Sequence, residues 1–369
     1  MTATHSLSPV AACLAAALPQ VSAGPELHLE AVDAVVREEF ERLSLPGAVV
    51  GVVSGDELVY QVALGQRDLE SGAEMTTDTP FQIGSATKSM TAVLMGLLRD
   101  RGELDFEDTV RDHLPEGVEI PAELQSLTLA QLAAHTAGLP RDFVNRRDVP
   151  DTPSVAEPYS TRELLEGLQT TGLLFEPGSR GSYSNVGYAL LGYVLESATG
   201  ASYEELLVER LCRPLGMTST IVQPTDEQER RLATHYWNRD DPPLARERWR
   251  FGEVAAHGGV VSSLPDLARY LRLQWSEDEE APVSQATLAE LRRPVIESED
   301  GASLATGWFL YPIQGGPIVG HDGGVDGNSA SLAFLPGRAL GVIALTNRGG
   351  DTAPDLAKAA LRAVVTGRY

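Results

Sequence analysis

Hydrophobic residues recur at helical spacing at the start of the chain, and segments rich in apolar and β-branched residues follow. Apolar positions three and four residues apart predict a first helix that ends near Leu43. Residues 48–53 and 57–65 are then predicted strands on either side of a Ser-Gly-Asp segment at 54–56, which is typical of a hairpin turn. The amino-terminal part therefore predicts one helix followed by a β-hairpin.

The carboxyl-terminal part mirrors this pattern. Residues 329–335 and 339–347 flank a Pro-Gly pair at 336–337 and predict a second hairpin, and a helical pattern follows at 353–365. Two hairpins at opposite ends, each beside a terminal helix, predict one antiparallel sheet that is built from both termini. We expect its helices to pack on one face.

The middle of the chain has a mostly helical pattern. Apolar residues from Met90 to Leu98 lie on one helical face, and Gly102 marks the end of that helix. Further helices are predicted at 129–134, 161–168, 188–198, 203–211 and 264–273. The polar, proline-rich segments 141–158 and 222–250 predict surface loops at the rim of a pocket.

Length and composition fit a globular protein. The chain has 369 residues, of which 43% are hydrophobic and 22% charged, which is typical of a soluble protein with one large domain or two interleaved ones. Together with the element pattern, this predicts an α+β fold in which an all-helical domain is inserted into a sheet domain. We assign residues 1–24 to a flexible extension, 25–82 and 301–369 to the sheet domain, and 83–300 to the helical domain.

Charge, cysteines and apolar runs exclude several functions. The net charge of −23 argues against nucleic acid or an anionic membrane surface as a partner. Cys13, Cys212 and the seven histidines show no metal-ligand spacing, so neither a metal nor another cofactor is predicted. No run approaches the roughly 18 apolar residues of a membrane span. Residues 1–24 lack the basic start of a signal peptide, which favours a cytoplasmic location and leaves a secreted or periplasmic one open.

Lys88 is the residue that first points to chemistry. The 29 basic residues include only two lysines, Lys88 and Lys358. An arginine stays charged at any useful pH, whereas a buried lysine can lose its proton. Lys88 follows Ser85 by three residues, so both lie on one face of the predicted helix, where a neutral Lys88 would take the Ser85 proton. A capping serine followed by a surface lysine explains the pair equally when it is taken alone.

A second segment, Gly-Ser-Tyr-Ser-Asn-Val-Gly at 181–187, precedes an apolar helix. Tyr183 would carry a proton if a nearby cation lowered its pKa. Asn185 would hold Lys88 or a substrate carbonyl by hydrogen bonding. The alternative is a buried tyrosine beside a helix-capping serine or asparagine.

The third segment, Gly-His-Asp-Gly-Gly at 320–324, follows a short predicted strand at 318–320. Glycines allow a backbone to approach a ligand closely, so Gly323 and Gly324 are assigned to an oxyanion site, with the N–H of Gly324 as one donor. His321 would contact a leaving group or a substrate carboxylate. The alternative is a glycine-rich turn with an incidental histidine.

The order and spacing of the three segments resemble those of serine β-lactamases and penicillin-binding proteins. Ser-x-x-Lys at 85–88, Tyr-x-Asn roughly 100 residues later, and His-x-Gly at 321–323 follow that pattern. The tyrosine is similar to that of class C β-lactamases and their esterase and D-aminopeptidase relatives. Phrases such as Ala-His-Thr-Ala-Gly-Leu-Pro at 134–140 extend the resemblance over roughly residues 26–369.

The resemblance implies a β-lactamase-like fold with the active site between the sheet domain and the helical domain. It implies that Ser85 forms an acyl-enzyme and that Lys88 and Tyr183 share the role of base. It also implies that Asn185 positions the substrate or Lys88, and that the N–H groups of Ser85 and Gly324 form the oxyanion hole. His321 departs from the Lys-Thr-Gly usual in β-lactamases and looks more like the esterase, peptidase and acyltransferase branches.

The expected function is therefore hydrolysis of a small ester or amide by a serine hydrolase. A D-amino-acid peptidase or DD-carboxypeptidase, a biosynthetic acyltransferase and a weak β-lactamase are the alternatives within the same chemistry. A binding or sensor domain without activity is the alternative from another class, and the presence of both nucleophile and base argues against it. The natural acyl group and the oligomeric state stay open.

Overall fold

A computed structural model describes residues 27–142, 159–237, 243–297, 301–313 and 316–368. The strands are β1 (Gly47–Ser54), β2 (Glu57–Asp68), β3 (Ala73–Glu74), β4 (Phe81–Gln82), β5 (His235–Tyr236), β6 (Ala245–Arg246), β7 (Val261–Ser262), β8 (Ile296–Glu297), β9 (Ser303–Leu304), β10 (Phe309–Tyr311), β11 (Ile318–Val325), β12 (Asn328–Leu335) and β13 (Leu340–Thr346). Nine of these described strands form one sheet in the order β3-β2-β1-β13-β12-β11-β10-β9-β8. Its neighbouring strands are antiparallel.

Helices precede, follow and interrupt the sheet. They are α1 (Leu29–Arg42), α2 (Thr87–Asp100), α3 (Ala122–Gln125), α4 (Leu129–Ala133), α5 (Thr161–Leu168), α6 (Asn185–Thr199), α7 (Tyr203–Glu205), α8 (Asp226–Glu229), α9 (Leu264–Leu273), α10 (Gln285–Leu291) and α11 (Thr352–Thr366). A π-helical turn at Leu206–Cys212 continues α7, and 3₁₀ turns lie at Gly84–Ala86, Val110–His113, Gly252–His257 and Pro336–Arg338. Within the described ranges, no helix is long and apolar enough to cross a bilayer.

Strands from the two ends of the chain meet at the centre of the sheet. β1 pairs with β13, so that Val50 lies opposite Ala344. Each of these strands also pairs with its own hairpin partner, β2 or β12. The prediction of one antiparallel sheet built from both termini is therefore confirmed.

The two faces of β1 pack against different parts of the molecule because side chains alternate along a strand. Val50 and Val52 belong to the hydrophobic cluster that contains α1 and α11. Val49 and Val53 belong to the cluster formed with the helices of the middle region, including α2 and α9. The terminal helices therefore pack on one face, as predicted, and helices from the middle of the chain cover the other.

The middle region is less purely helical than the sequence pattern predicts. Short strands β5, β6 and β7 lie within it, and β5, β6 and the short helix α8 all fall in the segment predicted as the loop 222–250. The sequence pattern did not predict α10 or strands β8 to β10. Residues 1–24 and 143–158, the latter within the predicted loop 141–158, lie outside the described residues. The boundaries assigned to the two domains stay a prediction.

The third predicted segment lies inside a strand and not in a turn after one. β11 continues from residue 318 to 325, and His321 to Gly324 all pair with β12. Glycines disfavour strands in isolation, which explains why the sequence pattern predicted an end at residue 320. Pairing with β12 holds these glycines extended.

Candidate active site

Ser85 lies in the 3₁₀ turn that leads into α2. Gly84, just before it, has a φ of +53°, in the left-handed region that favours glycine. A Cβ at Gly84 would also lie only 2.7 Å from the main-chain nitrogen of Gly324. The turn can therefore approach β11 closely only with glycine at this position. Ser85 is partly exposed, whereas both neighbours are buried, so the turn can be reached at Ser85.

Lys88 is completely buried and faces Ser85. Its side chain is 0% exposed, and its Nζ lies 3.1 Å from the Ser85 Oγ. The same nitrogen donates a hydrogen bond to the main-chain carbonyl of His257. Burial, with a further contribution from the positive charge of Arg141, lowers the pKa of Lys88 well below its ordinary value. The alternative of a surface lysine is therefore wrong, and burial favours the neutral form of the amine that faces the serine.

Tyr183 approaches the same hydroxyl from the start of α6. Its hydroxyl is close enough to the Ser85 side chain to affect the pKa of Tyr183, and the Lys88 Nζ lies 4.9 Å from the centre of its ring. Burial raises the pKa of Tyr183, and this effect outweighs the opposing effects of the Ser85 hydrogen bond and Arg141. A nearby cation, Arg141, does lower the pKa of Tyr183, but burial outweighs it, so the condition set for Tyr183 in the sequence analysis is not met. Tyr183 holds its proton at rest and is suited to donate one.

His135 and Arg141 hold the ring of Tyr183 in place. The ring centres of His135 and Tyr183 lie 4.4 Å apart, and the His135 Nδ1 accepts a 3.1 Å hydrogen bond from the main-chain N–H of Ser184. The guanidinium carbon of Arg141 lies 5.0 Å from the ring centre of Tyr183. The sequence did not predict either role, although both residues lie in or directly after the segment 134–140 that carries the family resemblance.

Asn185 contacts the segment around Arg141. Its main-chain N–H donates to the Arg141 carbonyl at 2.8 Å, and its Nδ2 donates to the Asp142 Oδ1 at 2.7 Å. Its Oδ1 is buried and has no hydrogen-bond partner in the described part of the chain. Among the described contacts there is also no hydrogen bond between Asn185 and Lys88. One of the two predictions for Asn185, a hydrogen bond that holds Lys88, is therefore not seen in the structure.

Gly323 and Gly324 bring β11 against the Ser85 turn. A Cβ at Gly323 would lie 1.9 Å from the Ile83 carbonyl oxygen and 2.9 Å from the Ser85 nitrogen. A Cβ at Gly324 would meet nothing within 4 Å, and this residue is exposed. The main-chain nitrogens of Ser85 and Gly324 therefore lie at one junction, which is open on the Gly324 side. Such a junction has the donors that an oxyanion needs.

His321 lies on β11 two residues before Gly323, so both face the side of the sheet where the Ser85 turn lies. Its ring centre is 5.2 Å from that of Phe309 and 6.4 Å from that of Tyr183. Burial and the nearby Lys88 lower the pKa of His321 to about 3, so the ring is neutral. The three predicted segments therefore meet at one place.

The carbonyl of His257 is the contact of Lys88 that the sequence could not reveal. It is a main-chain atom, so no residue type signals its presence. His257 lies at the end of a 3₁₀ turn and packs edge-on against Phe251, with ring centres 4.8 Å apart. No group of three or more potential metal ligands of the His, Cys, Asp or Glu type is found among the residues that the structure describes.

Comparison with known proteins places the chain in a family. A family model described as Beta-lactamase matches residues 32–366. The chain belongs to the β-lactamase family. Members of this family are serine hydrolases with the β-lactamase fold, which confirms the predicted family and fold class.

Three relatives illustrate the range of the β-lactamase family around this chain. Penicillin-binding protein 4 of Amycolatopsis lactamdurans is 31% identical over 335 residues, which cover 86% of this chain and 85% of that protein. Protein flp of Staphylococcus aureus is 23% identical over 88% of this chain, which spans only 64% of flp. The crystal structure of a class C β-lactamase from Rhodobacter sphaeroides superposes with a TM-score of 0.72 at 25% identity, covering 92% of this chain and 99% of that one.

Proposed function

We propose that this chain hydrolyses a small ester or amide through an acyl-enzyme on Ser85. The observation that carries the proposal is the buried amine of Lys88, held 3.1 Å from the Ser85 Oγ. A serine hydroxyl is a weak nucleophile until an adjacent base takes its proton. A lysine whose pKa is lowered by burial gives up its own proton more readily and can then act as such a base.

Acylation begins when Ser85 Oγ attacks the substrate carbonyl carbon and its proton passes to Lys88. The His257 carbonyl accepts one N–H of Lys88, which leaves the lone pair free for the serine. The substrate carbonyl oxygen becomes negative and is stabilised by the N–H groups of Ser85 and Gly324. Tyr183 then donates its proton to the leaving group as the scissile bond breaks, and regains one from Lys88.

Deacylation uses the same groups in reverse. A water molecule takes the place of the leaving group and loses a proton to the Lys88–Tyr183 pair as its oxygen attacks the acyl carbon. The ester bond to Oγ breaks, the carboxylic acid leaves, and Oγ receives the proton back. The alternating roles of Lys88 and Tyr183 need no group beyond those that the described site contains.

The direct test is hydrolysis of a short-chain p-nitrophenyl ester by the wild type and by Ser85→Ala. We expect Ser85→Ala to lose at least about 10³-fold in kcat, as loss of a nucleophile does in other serine hydrolases. Ser89→Ala is the matched control, because Ser89 lies one helical turn further on and its Oγ donates to the Ala86 carbonyl at 2.8 Å. Equal activity of wild type and Ser85→Ala would refute the proposal. A serine-reactive phosphonate should label Ser85 and leave Ser85→Ala unlabelled.

Reaction with a β-lactam is a second candidate, favoured by one specific observation. The relative that is 31% identical is called a penicillin-binding protein. A fluorescent penicillin should then become covalently attached to Ser85, visible on a denaturing gel. Because His321 is neutral, the site lacks the cation that the Lys-Thr-Gly lysine would supply for the β-lactam carboxylate, and we expect labelling to be slow. Absence of any label after prolonged incubation would set this candidate aside.

A further inference from the structure

We propose that His321 is a specificity-determining residue that accepts a hydrogen bond from an N–H group at the scissile bond of the substrate. The class of substrate so recognised is the secondary amide, including peptides, in contrast to an ester with the same acyl group. The inference rests on the proposed function, because it assumes that the bond is broken at Ser85.

The hydrogen bond at Nδ1 decides which nitrogen of His321 carries the proton. Nδ1 lies 2.7 Å from the main-chain carbonyl oxygen of Asp322. A carbonyl oxygen can only accept, so Nδ1 must be the donor and must hold the ring proton. The ring is neutral, so Nε2 carries a lone pair and no proton. Nε2 is therefore a hydrogen-bond acceptor.

Nε2 is also unpaired. His321 is only 3% exposed, and its Nε2 is buried with no hydrogen-bond partner among the described residues. Buried polar atoms are nearly always paired in native proteins, and each exception asks for an explanation. The position of His321 supplies an explanation for its unpaired Nε2. His321 shares a strand face with Gly323, which touches the Ser85 turn.

The neutral acceptor argues against one of the two partners expected for His321 from the sequence. A carboxylate has only acceptor atoms, so it would meet the Nε2 lone pair with repulsion. A leaving group with an N–H can donate a hydrogen bond to this lone pair. Of the two partners expected from the sequence, a leaving group and a substrate carboxylate, the proposal therefore takes the leaving group.

The same hydrogen bond would help Tyr183 to protonate a leaving nitrogen. During attack the amide nitrogen becomes pyramidal and gains a lone pair. When its N–H is held by His321, that lone pair is free to face another donor, and the Tyr183 hydroxyl supplies the proton. The C–N bond breaks, the amine leaves with its original hydrogen and the added one, and the acyl group stays on Ser85 Oγ. An ester oxygen has no hydrogen for His321 to hold.

The test compares two substrates with the same acyl and aryl groups, p-nitroacetanilide and p-nitrophenyl acetate. His321→Leu removes the acceptor, and His321→Gln retains one in its side-chain carbonyl. We expect His321→Leu to lower kcat/KM for the anilide roughly tenfold more than for the ester, which is the effect of one hydrogen bond. His321→Gln should recover part of that difference. N-methyl-p-nitroacetanilide, which has no N–H, should respond to His321→Leu as the ester does.

A purely structural role for His321 gives a different result. Phe309→Leu is the matched control, because Phe309 packs edge-on against the same ring and should affect both substrates by one common factor. An equal fall for anilide and ester in His321→Leu would overturn the proposal. So would a wild type that hydrolyses the ester and fails to hydrolyse the anilide at high enzyme concentration.

A second measurement separates this inference from the proposed function. In Ser85→Ala protein labelled with ¹⁵N-histidine, we expect the His321 signal to show a proton on Nδ1 and none on Nε2. Addition of p-nitroacetanilide should move the Nε2 signal, and addition of the ester should not. A protonated Nε2, or an equal response to both ligands, would overturn the role of His321. Failure of the proposed function alone would show instead as ester hydrolysis that survives Ser85→Ala.

Discussion

Lys88 owes its chemistry to its surroundings. Complete burial lowers its pKa, and the charge of Arg141 lowers it further. The His257 carbonyl gives the amine a fixed orientation. An amine with a lowered pKa can lose and accept a proton, which no arginine can do. This explains why a lysine stands here in a chain that otherwise uses arginine almost throughout.

Replacing Lys88 by arginine should abolish the base, because a guanidinium stays protonated at any useful pH. We expect Lys88→Arg to lower kcat/KM for a p-nitrophenyl ester by about 10²–10⁴-fold, the usual contribution of a general base. Lys88→Met keeps a side chain of similar length but removes the amine, and it should lower kcat/KM by a similar factor. Circular dichroism should confirm that both variants are folded. A Lys88→Arg enzyme within tenfold of the wild type would contradict the assignment of Lys88 as base.

The two charged residues next to the site should shift the pH profile in opposite directions. Lys88 must be neutral to accept a proton, so activity rises with pH through its pKa. Arg141 lowers that pKa and Asp142 raises it. Arg141→Gln should therefore move the acidic limb of kcat/KM to higher pH, and Asp142→Asn should move it to lower pH. Arg37→Gln is the control, because its side chain has the same 55% exposure as Arg141 but lies on α1. Shifts of the same sign would refute this account.

At the level of single residues, the sequence predicted the groups that carry a chemical signal. Ser85, Lys88 and Tyr183 could be proposed as site residues because their residue types and spacing are those that nucleophilic catalysis needs, and the structure brings them together. The contact of Lys88 with the His257 carbonyl could not, because a main-chain atom leaves no trace in the sequence. The raised pKa of Tyr183 could not be predicted either, because it depends on how deeply the ring is buried.

At the level of elements, β11 connects the sheet to the Ser85 turn. Its glycines let the strand approach the turn more closely than any side chain allows. The long hairpins β1–β2 and β12–β13 could be predicted because each has a continuous apolar pattern and a turn signal. Strands of two or three residues, such as β8 to β10, are too short to show a period. The strand predicted at β11 ended too early, at residue 320, because glycine is a poor strand former.

The two adjacent glycines of β11 offer a matched pair of variants. Gly323→Ala places a Cβ 1.9 Å from the Ile83 carbonyl oxygen, so the Ser85 turn must move. We expect a loss of about 1–3 kcal/mol in the free energy of unfolding together with loss of most of the proposed hydrolysis of a p-nitrophenyl ester. Gly324→Ala meets no atom within 4 Å, so its urea transition should match the wild type. Equal stability of both variants would show that β11 and the turn are not in close contact.

At the level of the whole molecule, the sheet lies between two hydrophobic cores, and the candidate site is on the side of only one of them. Its two faces carry different cores, one with the terminal helices and one with the helices around the site. Ser85, Lys88, Tyr183 and the side chain of His321 all lie on the second side. The terminal helices can therefore hold the sheet together without touching the site.

A pair of buried leucines tests this separation. Leu361 on α11 is 1% exposed and Leu264 on α9 is 0% exposed, so either change to alanine should lower the free energy of unfolding by about 2–5 kcal/mol. Leu361→Ala should leave kcat and KM unchanged well below its unfolding transition, because its cluster lies on the face away from the site. Leu264→Ala should also lower kcat/KM, because α9 follows β7, which pairs with β4 just before the Ser85 turn. Urea unfolding and ester kinetics on both variants would measure this, and a catalytic defect in Leu361→Ala equal to that in Leu264→Ala would show that the two faces are coupled.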